Sequence, residues 1–307
     1  MDDEPLGRLY HRLLCDSSHH AAQAAGRRRS FCDALIAFIY LYAACSDRSP
    51  RWASERRHWP LWCQRLLKLP SYSQLMRRLK TFAVQRLIAE VNRELRQALG
   101  HSSEKVIDGK PLVIGGFSKD PDATRGFVPD GWARGYRVHL IVDAAFAAVE
   151  EFILTALHAG EATVALELVQ RCDLRDGGRH GVLLRGDSNY DSNRLYAAVE
   201  QAGGRLIAPR KKPAPASRGL GHHPQHPHRL EAIALLEDPL HREHQRQSRR
   251  QRNRVEQSLA HLTNLPFGLS PLPNFVRRFW RVRLWVTAKL LLYHQHLVIR
   301  QMRAATG

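Results

Sequence analysis

The stretch Lys105–Gly116, KVIDGKPLVIGG, decides the fold. Its first half is β-branched and alternating, and it closes on paired glycines, the pattern of a strand running into a turn. Upstream, residues 1–100 read as helix. Downstream, strand and helix patterns take turns. After a turn segment, GFSKDPDATRGF, the segments RVHLIVDAAF and VEEFILTALHAG read as two strands of a hairpin or meander. ATVALELVQRCDL reads as a helix, HGVLLRGD as a buried strand, SNRLYAAVEQAGG as a helix closed by Gly203-Gly204, and RLIAPRK as a further strand. That β-β-β-α-β-α-β order predicts an α/β fold with a mixed sheet.

The first hundred residues carry the helical period. Phe31–Cys45 has the density of a core helix. Two more are expected between residues 61 and 100, with Ser71 or Ser73 as a cap and Gly100 as the stop. Between residues 51 and 98 there are eleven Lys/Arg against three Asp/Glu, so a helix-turn-helix-like DNA-binding unit stands beside an ordinary bundle with a solvated basic face. The domain division expected is 1–100, helical, and 101–307, catalytic, with a basic, His-rich insertion near 210–250. From Val255 to Met302 the chain reads as helix again, interrupted at Pro266, Pro271 and Pro273.

Composition bounds the function. The 307 residues carry a formal net charge of +18, which favours a polyanionic partner through phosphate neutralisation and counterion release. Five cysteines, none spaced C-x-x-C, argue against a disulfide scaffold or a zinc ribbon and for a reducing cytosol. The opening MDDEPLGRL lacks the apolar core of a secretory leader, and the apolar runs Phe31–Cys45 and Leu284–Ile299 read as buried helices, so no membrane is expected. Residues 210–254 hold eleven Lys/Arg against four acids, and six histidines fall between His222 and His244. HHPQHPH lacks ligand partners at defined spacing, and the segment reads as a phosphate-seeking loop leading into a basic helix.

Three acids stand out against this background. Asp108 follows Val106-Ile107, at or near a strand end. Asp187 follows Val182-Leu183-Leu184, with Gly186 permitting close backbone approach. Glu256 lies in RRQRNRVEQSL, one helical turn after Arg252. Each has an ordinary reading: Asp108 as a turn residue, Asp187 as a helix cap, Glu256 as the ion-pair partner of Arg252. Together on a basic chain, two strand-end carboxylates and one helical carboxylate suit two divalent ions. Mg2+ or Mn2+ takes hard oxygen ligands, and such a pair can clamp an in-line displacement at phosphorus.

At these residues the chain resembles DDE-type bacterial insertion-sequence transposases, with a ribonuclease H-like catalytic core. The resemblance is carried by IDGKPLVIGGFSKDPDATRG with WARGYRVHLIVD, by LLRGDSNYDSNRLYAAVEQAGGRLIAPRKK, and by Arg252-Asn253-Arg254-Val255-Glu256 with the tail that follows. It implies a ribonuclease H-like mixed sheet flanked by helices, after an N-terminal all-helical domain. It implies Asp108, Asp187 and Glu256 as metal ligands and catalytic residues, with Arg252 in support. By charge, Lys110, Lys119, Arg210, Lys211 and Lys212, with Arg249 and Arg252, are expected DNA contacts. The implied reaction is metal-dependent cleavage at transposon ends, then strand transfer into target DNA by a homodimer bound at terminal inverted repeats, in the cytoplasm on the nucleoid. A ribonuclease H-like nuclease or resolvase without strand transfer, and a domesticated, non-catalytic DNA-binding protein, are the alternatives.

Overall fold

The computed structural model describes residues 31–211 and 226–306, apart from 67, 173, 176–180 and scattered positions between 238 and 270, together with Gly7, His11 and Arg12. It divides into two compact units, Met1–Leu99 with Leu262–Gly307, and Gly100–His261.

The first unit is helical. Helix α1 (Asp33–Cys45) is buried on nearly every side, as its Ala, Ile, Leu and Tyr content requires. A short helix α2 (Pro50–Ala53) is capped by Ser49, and α3 (Leu61–Leu66) follows. Helix α4 (Tyr72–Leu79) opens on a reciprocal capping box between Ser71 and Gln74, and Arg78 near its end pairs with Asp33. Helix α5 (Phe82–Leu99) buries Leu87, Ile88, Val91, Leu95 and Leu99, the stripe its period predicts. The chain returns at its end with a 28-residue helix. We number it α9 (Phe279–Thr306). It packs on α5 and α1 and groups with them in this unit. Its two polar intruders are satisfied: Lys289 Nζ lies 2.5 Å from Asp47 Oδ1, and His294 Nδ1 lies 2.7 Å from Asn92 Oδ1. Among the described residues no helix is long and apolar enough to cross a membrane.

The second unit is an α/β sheet. Its strands are β1 (Glu104–Val113), β2 (Thr124–Val128), β3 (Gly131–Asp143), β4 (Val149–Ala156), β5 (Leu183–Arg185) and β6 (Arg205–Ile207). The order is β2-β3-β1-β5-β6, with β4 also paired to β3. Strands β1 to β4 are antiparallel, with β3 pairing β1 along one edge and β2 then β4 along the other, and β5 and β6 add in parallel. Helices α6 (Glu161–Arg171), α7 (Asn193–Gln201) and α8 (Pro227–Glu237) complete the unit. Ile107, Ile141 and Leu184 of the sheet pack with Leu168, Val169, Leu195, Tyr196 and Val199 of α6 and α7 in one core. This is the α/β fold expected from the sequence, a mixed sheet flanked by helices with a helical N-terminal region. One strand exceeds the sequence expectation: β2 forms inside the turn segment GFSKDPDATRGF. Gly135 of β3 lets backbones close there, since a Cβ would lie 2.2 Å from the Leu112 carbonyl oxygen. Asp143 ends β3 as a turn cap, its carboxylate accepting from the N–H groups of Ser102, Ala145 and Phe146 at 2.6, 2.9 and 2.9 Å.

Candidate active site

Strand β1 places the first acid. Asp108 lies mid-strand, not at a strand end, because β1 continues to Val113 in antiparallel pairing with β3. The expected position survives in another sense. The parallel pairing of β1 with β5 stops at Val106 opposite Arg185, and Asp108 and Asp187 each lie two residues further on. The two aspartates thus leave neighbouring parallel strands at the same level, which brings their charges within mutual influence.

Asp187 is also the cap its ordinary reading anticipated. Its Oδ1 accepts from the Asn189 N–H at 2.8 Å, at the start of a 3₁₀ turn (Ser188–Tyr190). Gly186 is required at the bend, since a Cβ there would sit 2.9 Å from the Tyr190 side chain. Asp108 Oδ1 accepts from the Gly109 N–H at 2.8 Å, and its Oδ2 lies 3.3 Å from Lys110 Nζ.

A third carboxylate, from outside the sequence expectations, joins them. Glu161 begins α6, and its Oε1 is 2.6 Å from Arg137 Nη1 on β3. The same oxygen would lie 3.1 Å from a Cβ at position 109, so it stands directly beside the Asp108–Lys110 bend. Burial, followed by weaker influences that include the Asp187 and Asp108 charges, raises the Glu161 carboxyl above its ordinary range. Burial also raises Asp108, with Lys110 opposing and the Asp187 charge adding. The Tyr190 hydroxyl is pushed up as well, by burial and then by the charges of Glu161, Asp108 and Asp187. That hydroxyl is buried and makes no hydrogen bond among the described residues.

A cleft of about 650 Å³ runs beside this cluster, with Glu161 in its wall alongside Gly109, Lys110, Arg137, Asn189 and Lys211. Phe127 and Trp132, edge to face at 6.1 Å on the β2–β3 hairpin, are exposed, and Phe127 reaches the cleft wall. Partly buried carboxylates that share a concave site, with a buried hydroxyl left unsatisfied among them, form a hard-oxygen donor set that fits a divalent cation.

Residues 100–294 match the family described as Transposase DDE domain, more than half of the chain. The chain belongs to that family. No curated protein matches it. Among solved structures it is similar to piggyBac transposase, in a cryo-EM structure of its synaptic complex with hairpin DNA. The identity is 11%, the match covers 100% of this chain and 74% of that one, and the TM-score is 0.48.

The remaining expected residues of this DDE-family chain fall as follows. Glu256 is exposed in a helical turn of the second unit. Arg252, Arg249 and Lys212 lie outside the described residues. Lys119 is exposed in the β1–β2 loop, and Arg210 and Lys211 are exposed after β6. Lys110, expected as a DNA contact, is engaged with Asp108.

Proposed function

We propose that this transposase cuts DNA at the ends of its element and joins the freed ends to a target, using divalent metal at Asp108 and Asp187. The observation that carries the reading is the level pairing of the two aspartates, two residues beyond the last pair of adjacent parallel strands. Glu256 is proposed as the third acid of the set, with Arg252, four residues earlier in the sequence, in support. Two magnesium or manganese ions, when bound, would supply Lewis-acid stabilisation of the attacking and leaving oxygens.

The chain's own groups do the rest. Asp108, within β1, and Asp187, just past β5, supply hard oxygen ligands on a rigid sheet, so little reorganisation accompanies loading. Lys110 and Arg137 balance the buried carboxylates and lie where phosphate oxygens would enter. Exposed Lys119, Arg210 and Lys211 attract the duplex backbone. Phe127 and Trp132 offer faces on which an unpaired base can stack. Two element ends must be handled together, so a homodimer on terminal inverted repeats is the expected working form.

The test is cleavage and strand joining on DNA carrying the sequence that flanks the gene. Wild type should cut at the edges of an inverted repeat and join those ends to a second DNA, only with magnesium or manganese. Asp187→Ala should lose roughly a hundredfold or more of both steps. Cutting without joining would identify a nuclease or resolvase. Equal DNA binding by both proteins with no cutting would identify a non-catalytic DNA-binding protein.

A further inference from the structure

A second cluster lies on the helices behind the sheet. Glu200 is in the last turn of α7, His226 immediately precedes α8, and His228 is in its first turn. His226 Nε2 is 3.1 Å from Glu200 Oε2, and His228 Nε2 is 3.6 Å from Glu200 Oε1. One ligand atom from each of the three residues falls within 4.8 Å of the others.

Two imidazoles and a carboxylate suit a borderline divalent ion, zinc above all. With bonds of about 2.0–2.2 Å, tetrahedral ligands stand about 3.3 Å apart. The two histidines approach the two Glu200 oxygens at 3.1 and 3.6 Å, close to that edge, and one ligand atom from each residue lies within 4.8 Å of the others. The backbone N–H of His226 donates to Asn193 Oδ1 at 3.2 Å, which fixes the start of α8, and the His226 ring stacks on Tyr196 with centroids 6.3 Å apart. His226 Nδ1 is buried and makes no hydrogen bond among the described residues, so the ring's polar contact runs through Nε2. Two imidazoles converging on one half-exposed carboxylate present three ligand atoms to a single cation.

We propose that Glu200, His226 and His228 bind one zinc-type ion at a site distinct from the carboxylate cleft, with solvent completing its coordination. The ion would fasten the start of α8 to α7. The consequence reaches the active strand ends. Arg229, the next residue, grips Asp191 through two bonds of 2.6 and 2.8 Å, and Asp191 also accepts from the Lys211 N–H at 2.8 Å. Both ends of the 212–225 stretch are therefore tied to the turn that follows Asp187, and the ion would lock one of those ties.

The experiment uses full-length protein stripped with EDTA and titrated with Co2+ in excess Mg2+. The reporter is the intense visible absorption that Co2+ shows when four-coordinate. Wild type should take up one Co2+, displaced by Zn2+. Glu200→Gln and His228→Ala should each weaken uptake by at least about tenfold, while Asp108→Asn leaves it unchanged. The Glu200 side chain is 49% exposed, so Glu200→Gln keeps the fold, which circular dichroism would verify. A wild type without the absorption band overturns the proposal. So does unchanged affinity in both variants, which assigns the ion to other histidines, or loss in Asp108→Asn, which assigns it to the cleft.

Discussion

Removing the guanidinium from Arg229 tests the latch behind the active strand ends. The Arg229 and Asp191 side chains are 6% and 0% exposed, and they meet through two charge-assisted bonds of 2.6 and 2.8 Å. Burial alone would raise the Asp191 carboxyl. The bonds from Arg229, helped by the Lys211 N–H, outweigh burial and hold it below its ordinary range. Arg229→Met keeps most of the buried stem and deletes the charge, leaving a carboxylate in a dry site. Breaking a buried pair in this way costs about 3–5 kcal/mol. For a unit of this size that corresponds to a fall in Tm of about 6–20 °C. The sign with pH follows from the depressed carboxyl. In the wild type the pair's contribution is present above the unfolded value of 3.8 and is lost as pH falls through the lower folded value. In Arg229→Met the stranded carboxylate is relieved by protonation, so the gap between mutant and wild type narrows as pH falls from 7 toward 4. Asp191→Asn added to Arg229→Met keeps an acceptor for the Lys211 N–H without the charge, and should recover half or more of the loss. Calorimetry of the three proteins at pH 7 and pH 4.5 reads all of this. A fall in Tm under about 3 °C, or a double mutant no better than Arg229→Met, would refute the account of an unpaired buried charge.

Tyr190→Phe removes a buried hydroxyl that has no partner among the described residues. It should leave urea stability unchanged or raise it by about 1 kcal/mol, because a desolvated donor disappears, while metal-dependent cleavage falls. Lowered stability with full cleavage would show the hydroxyl to be structural. Two buried histidines predict an acid limb. Burial, with Arg137 adding, lowers His139 to about 4, and burial, with Arg96 adding, lowers His294 to about 3. Both are neutral in the fold, and the unfolded chain takes up their protons below the ordinary value of 6.5. Stability is therefore full above that pH and falls as pH drops toward 4, by about 1.4 kcal/mol per pH unit for each histidine. Urea midpoints at pH 7, 6 and 5 measure the slope, and a flat profile would contradict it.

Much of the fold was legible because its elements announce themselves locally. The stripe Leu87, Val91, Leu95 has one helical reading, and the β-branched run before Asp108 has one extended reading. Strand β2 was hidden because Gly126 and the preceding Asp-Pro-Asp carry turn chemistry. Thr124–Val128 becomes a strand only by pairing with Gly131–Gly135. Helix α9 showed its buried character but not its company. Lys289 and His294 look like interruptions until Asp47 and Asn92, 242 and 202 residues away, supply their partners. Both pairings are tertiary facts with no local trace.

The site divides along the same line. Asp108 and Asp187 were readable as candidates because each carboxylate closes a β-branched or Leu-rich run on a basic chain. Glu161 was not. In HAGEATV it is an acid in the first turn of a helix, where the macrodipole favours one anyway. It reaches the aspartates only because the β1–β3–β4 sheet delivers the start of α6 beside Gly109. Its presence changes the electrostatic argument that began with net charge. Asp108, Asp187 and Glu161 gather three mutually influencing carboxylates, of which Glu161 lines the cleft, and Lys110 and Arg137, paired with Asp108 and Glu161, return two positive charges. The surplus of +18 lies elsewhere on the chain. Without bound cations the centre of the cleft opposes a phosphate, while the exposed Lys119, Arg210 and Lys211 attract one. Loading divalent metal removes that opposition, so metal and DNA should each tighten the binding of the other, as linkage requires. The two raised carboxyls act in the same direction: metal must displace whatever proton Asp108 or Glu161 retains, so acidification weakens metal first and DNA through it.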